Sequence, residues 1–155
     1  LTPKIIDGNL YLDHAALAER HLASEDVAAF VRDWALDTGK FQAGFTRTQL
    51  LDGRAPGPLG QRVQNGFNAE RSGDIVLVQK PFQIASGPRA GTTHGSPYAY
   101  DTHIPILFYG APFKPGRCSD DASITDIVAT LCVALHMTEP AMNMGRPLHG
   151  VLRPE

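Results

Sequence analysis

The chain has 155 residues, 43% of them hydrophobic and 19% charged, with a formal net charge of -2. That length suits a single domain with a substantial core, expected to run through residues 1–155. The 14 Lys and Arg residues are scattered rather than clustered, which argues against a dedicated nucleic-acid surface. No apolar run approaches the roughly 20 residues a membrane helix needs.

The opening "PKIIDGNLYLD" predicts two short extended pieces around Asp7-Gly8, a hairpin turn signal. From Asp13 the pattern turns helical, with Ala16, Leu17 and His21 at helix spacing. Ser24 is expected to cap a second helix, with Glu25 and Asp26 in its first turn and Gly39 at its end. Val27, Phe30, Val31 and Trp34 are its predicted inner face. "FQAGFTR" reads as a strand. The middle, from Thr46 to Asp74, alternates short helical pieces with Gly and Pro breaks. "DIVLVQKP" is the strongest strand of the chain and "IPILFYG", from Ile104, the second. "SITDIVATLCVALHM" is an amphipathic helix that Ser123 can cap, with Ile124, Ile127, Val128, Leu131 and Leu135 along one face. The fold class is α/β. Cys118 and Cys132 lack metal or redox spacing; they could pair in an oxidising compartment, but two unpaired thiols are the favoured reading.

The chain opens at Leu1 rather than a methionine. It therefore reads as a processed or excised piece, with room for a targeting segment upstream.

One stretch carries candidate chemistry: Gly91 to Gly110, "GTTHGSPYAYDTHIPILFYG". Neutral imidazole is the commonest metal ligand, and neighbouring glycine leaves His94 free to approach an ion. Asp101 and His103 alternate along chain expected to be extended. They could share a face and support a ligating imidazole from behind, or simply form a capped turn entering a strand. Asp13-His14 is a second candidate metal pair, though it opens an Ala-rich helix with no glycine beside it. His21, His136 and His149 read as helix-face or tail residues. There is no P-loop, nucleophile elbow, H-E-x-x-H or zinc-finger spacing, so residue types alone give at most one ligand and no nucleophile.

The 91–110 stretch resembles the last metal-binding loop of the alkaline phosphatase superfamily, in the branch of zinc-dependent phosphomonoesterases and phosphodiesterases that use a threonine nucleophile. The family pattern "GTTHGS-x-Y-x-YD-x-x-VP-x-L-FYG" is followed almost residue for residue. "SITDIVATLCVALHM" with "GRPLHGVL" is similar to the superfamily's last helix and the segment after it, and "RSGDIVLVQKP" to the strand before the loop. The resemblance runs from about Arg71 to Leu152.

It implies the C-terminal part of a three-layer α/β/α fold, incomplete by itself. His94 would be a ligand of one of two zinc ions, with Asp101 and His103 shaping the loop or supporting the ligand. The remaining ligands and the nucleophilic threonine belong to motifs absent here, and are expected upstream. In such a parent, one zinc holds the threonine as an alkoxide. The other stabilises the leaving-group oxygen and later activates water against the phospho-enzyme. This chain alone would be inactive, because one histidine cannot hold zinc without about three partners. The substrate implied is a phosphate mono- or diester, and the location periplasmic or secreted. The partner would be the missing N-terminal half, whose absence would leave exposed edges prone to oligomerise. The alternative is a non-catalytic binding or assembly module that keeps the family scaffold.

Overall fold

Asp7 and Gly8 turn the chain back on itself. Strand β1 (Lys4–Ile6) and strand β2 (Asn9–Tyr11) pair antiparallel, with Ile6 opposite Asn9. Both turn residues have positive φ, 47° and 77°, as a two-residue hairpin turn of this twist requires. A side chain at position 8 would also meet the Leu77 carbonyl oxygen at 2.6 Å, so the expected hairpin needs its glycine twice over. The computed structural model describes residues 4–84 and 92–154. The chain divides into two units, Leu1–His103 and Ile104–Glu155.

The first unit is built on a four-stranded antiparallel sheet of order β1-β2-β4-β3, where β3 is Phe41–Thr46 and β4 is Ile75–Gln79. β4 reads as an unbroken apolar run because both of its faces are covered. Ile75 and Leu77 join Leu10, Ala28 and Ala35 in one cluster. Val78 joins Phe45 and Leu50 in another, with Val76, Val63, Phe67 and Tyr98 packed around it. Residues two apart share a face of a strand, so this division follows directly from the pleat. Ile75 has no exposed surface. Ile75→Ala is expected to cost about 2–5 kcal/mol, read as a lower urea midpoint by tryptophan fluorescence.

Helix α1 (His14–Glu19) is capped by Asp13, whose carboxylate accepts the Ala16 N–H at 3.0 Å. It is shorter than expected: His21 lies beyond it with φ 55°, so His21 is not a helix-face residue. Helix α2 (Ser24–Asp37) follows, and its cap is Ala23, which offers no side-chain bond. Ser24 is the first helical residue instead. The inner face also differs from expectation. Ala28 and Ala35 are buried, with Val31 packed beside them, while Phe30 and Trp34 stand 71% and 62% exposed. The bulkier stripe loses because close approach to the sheet favours small residues. A Cβ on Gly44 of β3 would already lie 2.9 Å from Arg32 Cγ.

The short pieces between β3 and β4 are as predicted. Helix α3 (Arg47–Leu51) has a reciprocal capping box between Thr46 and Gln49, and helix α4 (Gly57–Gly66) starts after Pro56. A single turn, α5 (Ala99–Thr102), closes the unit.

The second unit holds helix α6 (Asp126–Ala134) and a 3₁₀ turn at His149–Val151. One antiparallel bridge joins Phe113 and Leu152. Two expectations fail here. Residues 104–109 form no strand, because a strand exists only through a neighbour, and none pairs with them among the described residues. α6 starts at Asp126 with Thr125 at its cap and no side-chain capping bond, so Ser123 does not cap it. Its buried residues are Asp126, Ala129, Thr130 and Cys132, while Ile124, Val128, Leu131 and Leu135 are exposed. Cys118 and Cys132 are both free thiols, the first exposed and the second buried. No helix among the described residues is long and apolar enough to cross a membrane.

Candidate functional site

The loop that carries His94 is open at its tip and tied down at its base. Gly91 lies outside the described residues. Residues 92–95 are exposed, and no described residue lies within 4 Å of where a side chain on Gly95 would begin. From Ser96 onward the chain is held at several points. The Tyr98 hydroxyl donates to the Gln79 carbonyl at the end of β4, 2.5 Å away, and its ring joins the cluster around Val78. Tyr100 stacks between Tyr98 and Phe82, with centroids 5.6 and 4.7 Å apart, and its hydroxyl accepts the Phe82 N–H at 3.1 Å. The Arg62 guanidinium, from α4, donates to the Pro97 carbonyl and to Thr102 Oγ1.

Arg62 and Tyr98 are the residues that reading the sequence missed. Tyr98 stood inside the quoted motif, flanked by a proline and a small residue. Arg62 sits 35 residues before the carbonyl it binds, and no local pattern links the two. Burial raises the Tyr98 phenol above its usual value, with Tyr100 adding to the shift. Tyr98 therefore stays protonated and remains a donor across the ordinary pH range.

Asp101 shapes the loop from inside. It lies in the α5 turn rather than on extended chain, so it does not alternate with His103 as expected. Its carboxylate accepts the Ser96 N–H at 2.8 Å. The Ser96 hydroxyl is buried and completes no regular hydrogen bond among the described residues. Its nearness is nonetheless the main influence holding the Asp101 carboxyl below 3.8, followed by the Ser96 N–H, with the charge of His94 adding a smaller part. A carboxyl depressed on folding contributes fully above its unfolded value, and that contribution is lost as pH falls through the lower folded value. The Ser96 amide resonance is therefore expected to titrate with a midpoint below 3.8. Asp101→Ala should abolish that titration in an NMR pH series.

His103 follows α5 as its C-terminal cap, its N–H bonded to the Ala99 carbonyl at 2.8 Å. Asp13 and His14 each have other partners. Asp13 is spent on capping, and His14 bridges Ser24 Oγ at 3.1 Å and Asp74 Oδ1 at 3.0 Å. Asp74 also accepts the Leu12 N–H at 2.8 Å, so this group pins α1 and α2 to the start of β4. His136 has φ 53° just past the end of α6.

The second motif, around "TDIVATL" and "GRPL", is an interlock. The Asp126 carboxylate accepts the N–H of Ser123 at 2.8 Å and of Arg146 at 2.9 Å. These two bonds, Arg146 first, hold its pKa below the ordinary carboxylate value. Thr130, fully buried, donates to the Asp126 carbonyl at 2.7 Å and accepts the Leu148 N–H at 2.9 Å. Thr130→Val leaves that N–H without a partner, at an expected cost of about 1–3 kcal/mol. Faster amide exchange at Leu148 is the check.

Zinc is the metal the sequence resemblance implies. An exposed imidazole on an open loop is suitable donor chemistry, but a zinc site takes three or four protein ligands. Among the described residues no group of three or more His, Cys, Asp or Glu side chains is placed to hold a metal ion. By themselves, then, the described residues do not complete a zinc site around His94.

The chain is 31% identical over 143 residues to the alkaline phosphatase PafA of Elizabethkingia meningoseptica, covering 92% of this chain and 26% of that protein. It is 40% identical over 102 residues to a calcium-transporting ATPase of Myroides odoratus, covering 64% and 18%. With the alkaline phosphatase PhoV of Synechococcus elongatus it shares 32% identity over 99 residues, covering 63% and 18%. The crystal structure of wild-type PafA matches with a TM-score of 0.85 at 30% identity, over 96% of this chain and 28% of that one. No family model matches the chain. The chain thus spans about a quarter or less of the length of these relatives. Its mixed α/β structure is part of a larger fold. The chain is homologous to a portion of the alkaline phosphatases and belongs to their superfamily.

Proposed function

We propose that this chain supplies one wall of the active site of a phosphate-ester hydrolase. Residues 1–155 would be one segment of a single catalytic domain. His94 would donate one imidazole nitrogen to one of two zinc ions, while the other ligands and a threonine nucleophile come from polypeptide outside these residues. The observation that carries the reading is the build of the loop: an exposed His94 on a free tip, above a base fixed by Tyr98, Arg62 and Asp101. A ligand must reach an ion yet hold its orientation, and a loop of this construction does both. A surface loop with no site to serve needs neither the histidine nor three separate anchors. A periplasmic or secreted location belongs to the same proposal and rests on the resemblance alone.

The isolated chain should then be inactive as a metal-dependent phosphate-ester hydrolase, since its described residues hold no complete metal site. The test assays p-nitrophenyl phosphate and its bis-ester with added zinc. One sample is the chain alone, and the other is the chain extended to the relatives' length by its adjoining coding sequence. Hydrolysis by the longer form only is the expected result, and the preferred ester reports the substrate class. Silence from both would leave the non-catalytic module as the reading. Hydrolysis by the short chain would place a complete site within it.

A further inference from the structure

Ser24 opens α2 but does not cap it. The cap of that helix is Ala23, and the Ser24 oxygen instead faces an imidazole, 3.1 Å from Nδ1 of His14. The other ring nitrogen, Nε2, lies 3.0 Å from Asp74 Oδ1. Asp74 is held in turn by the Leu12 N–H, 2.8 Å from its second oxygen, and its side chain is only 13% exposed. A carboxylate only accepts, so in the neutral ring the proton sits on Nε2. The lone pair of Nδ1 is then left for the Ser24 hydroxyl. This is the order of contacts that activates a serine: a nucleophile, a base, and a fixed carboxylate that sets the tautomer and steadies the imidazolium once it forms. Which nitrogen faces the serine is immaterial to the proton transfer, since either is basic when it carries no proton. The His14 side chain is 58% exposed and Ser24 half-buried, so a small molecule reaches both. All three residues belong to the first unit.

From these contacts we infer that Ser24, with His14 as base and Asp74 as positioning residue, is a reactive centre of its own, an esterase-type site for small uncharged carboxylic esters. The Ser24 oxygen bonds to the ester carbonyl carbon while its proton passes to Nδ1 of His14. The tetrahedral species collapses as the bond to the alcohol oxygen breaks, and that proton leaves with the alcohol. Water then attacks the acyl-serine and gives a proton to His14. The carboxylic acid departs as the Ser24 oxygen takes that proton back. The first turn of α2 adds to the centre. Val27 N–H is the first to bond within the helix, to the Ala23 carbonyl, so the N–H groups of Ser24, Glu25 and Asp26 have no acceptor in the helix itself. They lie where an oxyanion develops on an acyl-serine. The carboxylates of Glu25 and Asp26 in that turn repel an anionic substrate, which selects a neutral ester over a phosphate ester. The inference does not rest on the role of His94. A His94 variant that kept full phosphatase activity would leave it standing.

A fluorophosphonate probe on the 155-residue chain tests it, with p-nitrophenyl acetate hydrolysis on the same samples. In the labelling step the Ser24 oxygen attacks phosphorus, the P–F bond breaks, fluoride leaves and His14 takes the proton. Trypsin releases residues 21–32 as one peptide in which Ser24 is the only residue with a hydroxyl, so the adduct mass locates the site. An adduct on that peptide is the expected result, and it needs no variant to fold. A positioned base is worth about 100-fold or more in a closed active site. In this open one His14→Gln should slow labelling and acetate hydrolysis by at least about 10-fold. Ser24→Ala should abolish the adduct and leave far-ultraviolet circular dichroism unchanged, since the hydroxyl caps nothing. Asp74→Asn should slow labelling and also shift the His14 ring away from the Nε2–H tautomer, read from the ring nitrogen resonances. No adduct on residues 21–32, or an adduct that forms equally fast in His14→Gln, would overturn the inference. Acetate hydrolysis that survives Ser24→Ala would overturn it too, because the imidazole itself would then be the nucleophile.

Discussion

His94→Ala, made in the chain extended to the relatives' length, is expected to lower phosphate-ester hydrolysis by at least about 100-fold, because even the groups that merely support a metal ligand are worth about 10–100-fold. Zinc content should fall with it, measured by elemental analysis after dialysis against a weak chelator. The two readouts separate three cases. Loss of both is the outcome the proposal requires. Loss of activity with full zinc would give His94 a role toward substrate instead. Retention of both would remove it from the site. The fold should be untouched, since position 94 is exposed and the anchors at Ser96, Tyr98 and Arg62 do not involve its ring. Far-ultraviolet circular dichroism identical to the parent protein is the control.

That separation between tip and base explains what the sequence could and could not disclose. The hairpin at Asp7-Gly8 and the strand at Ile75–Gln79 were legible because each depends on residues a few positions apart. One depends on a positive-φ turn and the other on a doubly covered apolar run. The inner face of α2 was not legible. Val27, Phe30, Val31 and Trp34 make as good a helical stripe as Ala28, Val31 and Ala35, and the choice was made by how closely the helix approaches β3. Residues 104–109 failed as a strand for a different reason. Their composition reports the environment they are suited to, whereas the structure of residues 1–155 reports what these residues alone provide.

The candidate site divides in the same way. His94 stood out by its glycine neighbour and its motif. Asp101 was named for the right neighbourhood with the wrong geometry, since it serves a one-turn helix and the Ser96 N–H rather than an extended face. Arg62 left no mark in the sequence, because the contact it makes spans 35 residues and ends on a backbone carbonyl, which any residue type offers. The two motifs thus do opposite things. The first exposes a donor, and the second conceals its polar groups in an interlock around Asp126 and Thr130.

That interlock has its narrowest point at Gly145, where the second large effect is expected. A Cβ there would collide with the Thr125 carbonyl oxygen and lie 2.8 Å from the Asp126 backbone nitrogen. The obstacle is backbone at the start of α6, which cannot rotate aside as a side chain would. Gly145→Ala must therefore push the 145–148 segment away, and the neighbouring bonds go with it: Arg146 N–H to Asp126 and Leu148 N–H to Thr130. Overpacking alone costs about 1–3 kcal/mol, and each stranded polar group adds to it. A net loss of about 2 kcal/mol or more would raise the open population of this unit roughly 30-fold. The two thiols report it without a probe being added to the sequence. Cys118 is exposed and should react with a disulfide reagent at the same rate in both proteins, while buried Cys132 lies on α6 itself. Cys132 labelling should accelerate by that factor in the variant. Equal Cys132 rates in the two proteins would mean that the tail after Met144 does not hold α6 closed, and that the glycine in "GRPL" answers to some contact other than this one.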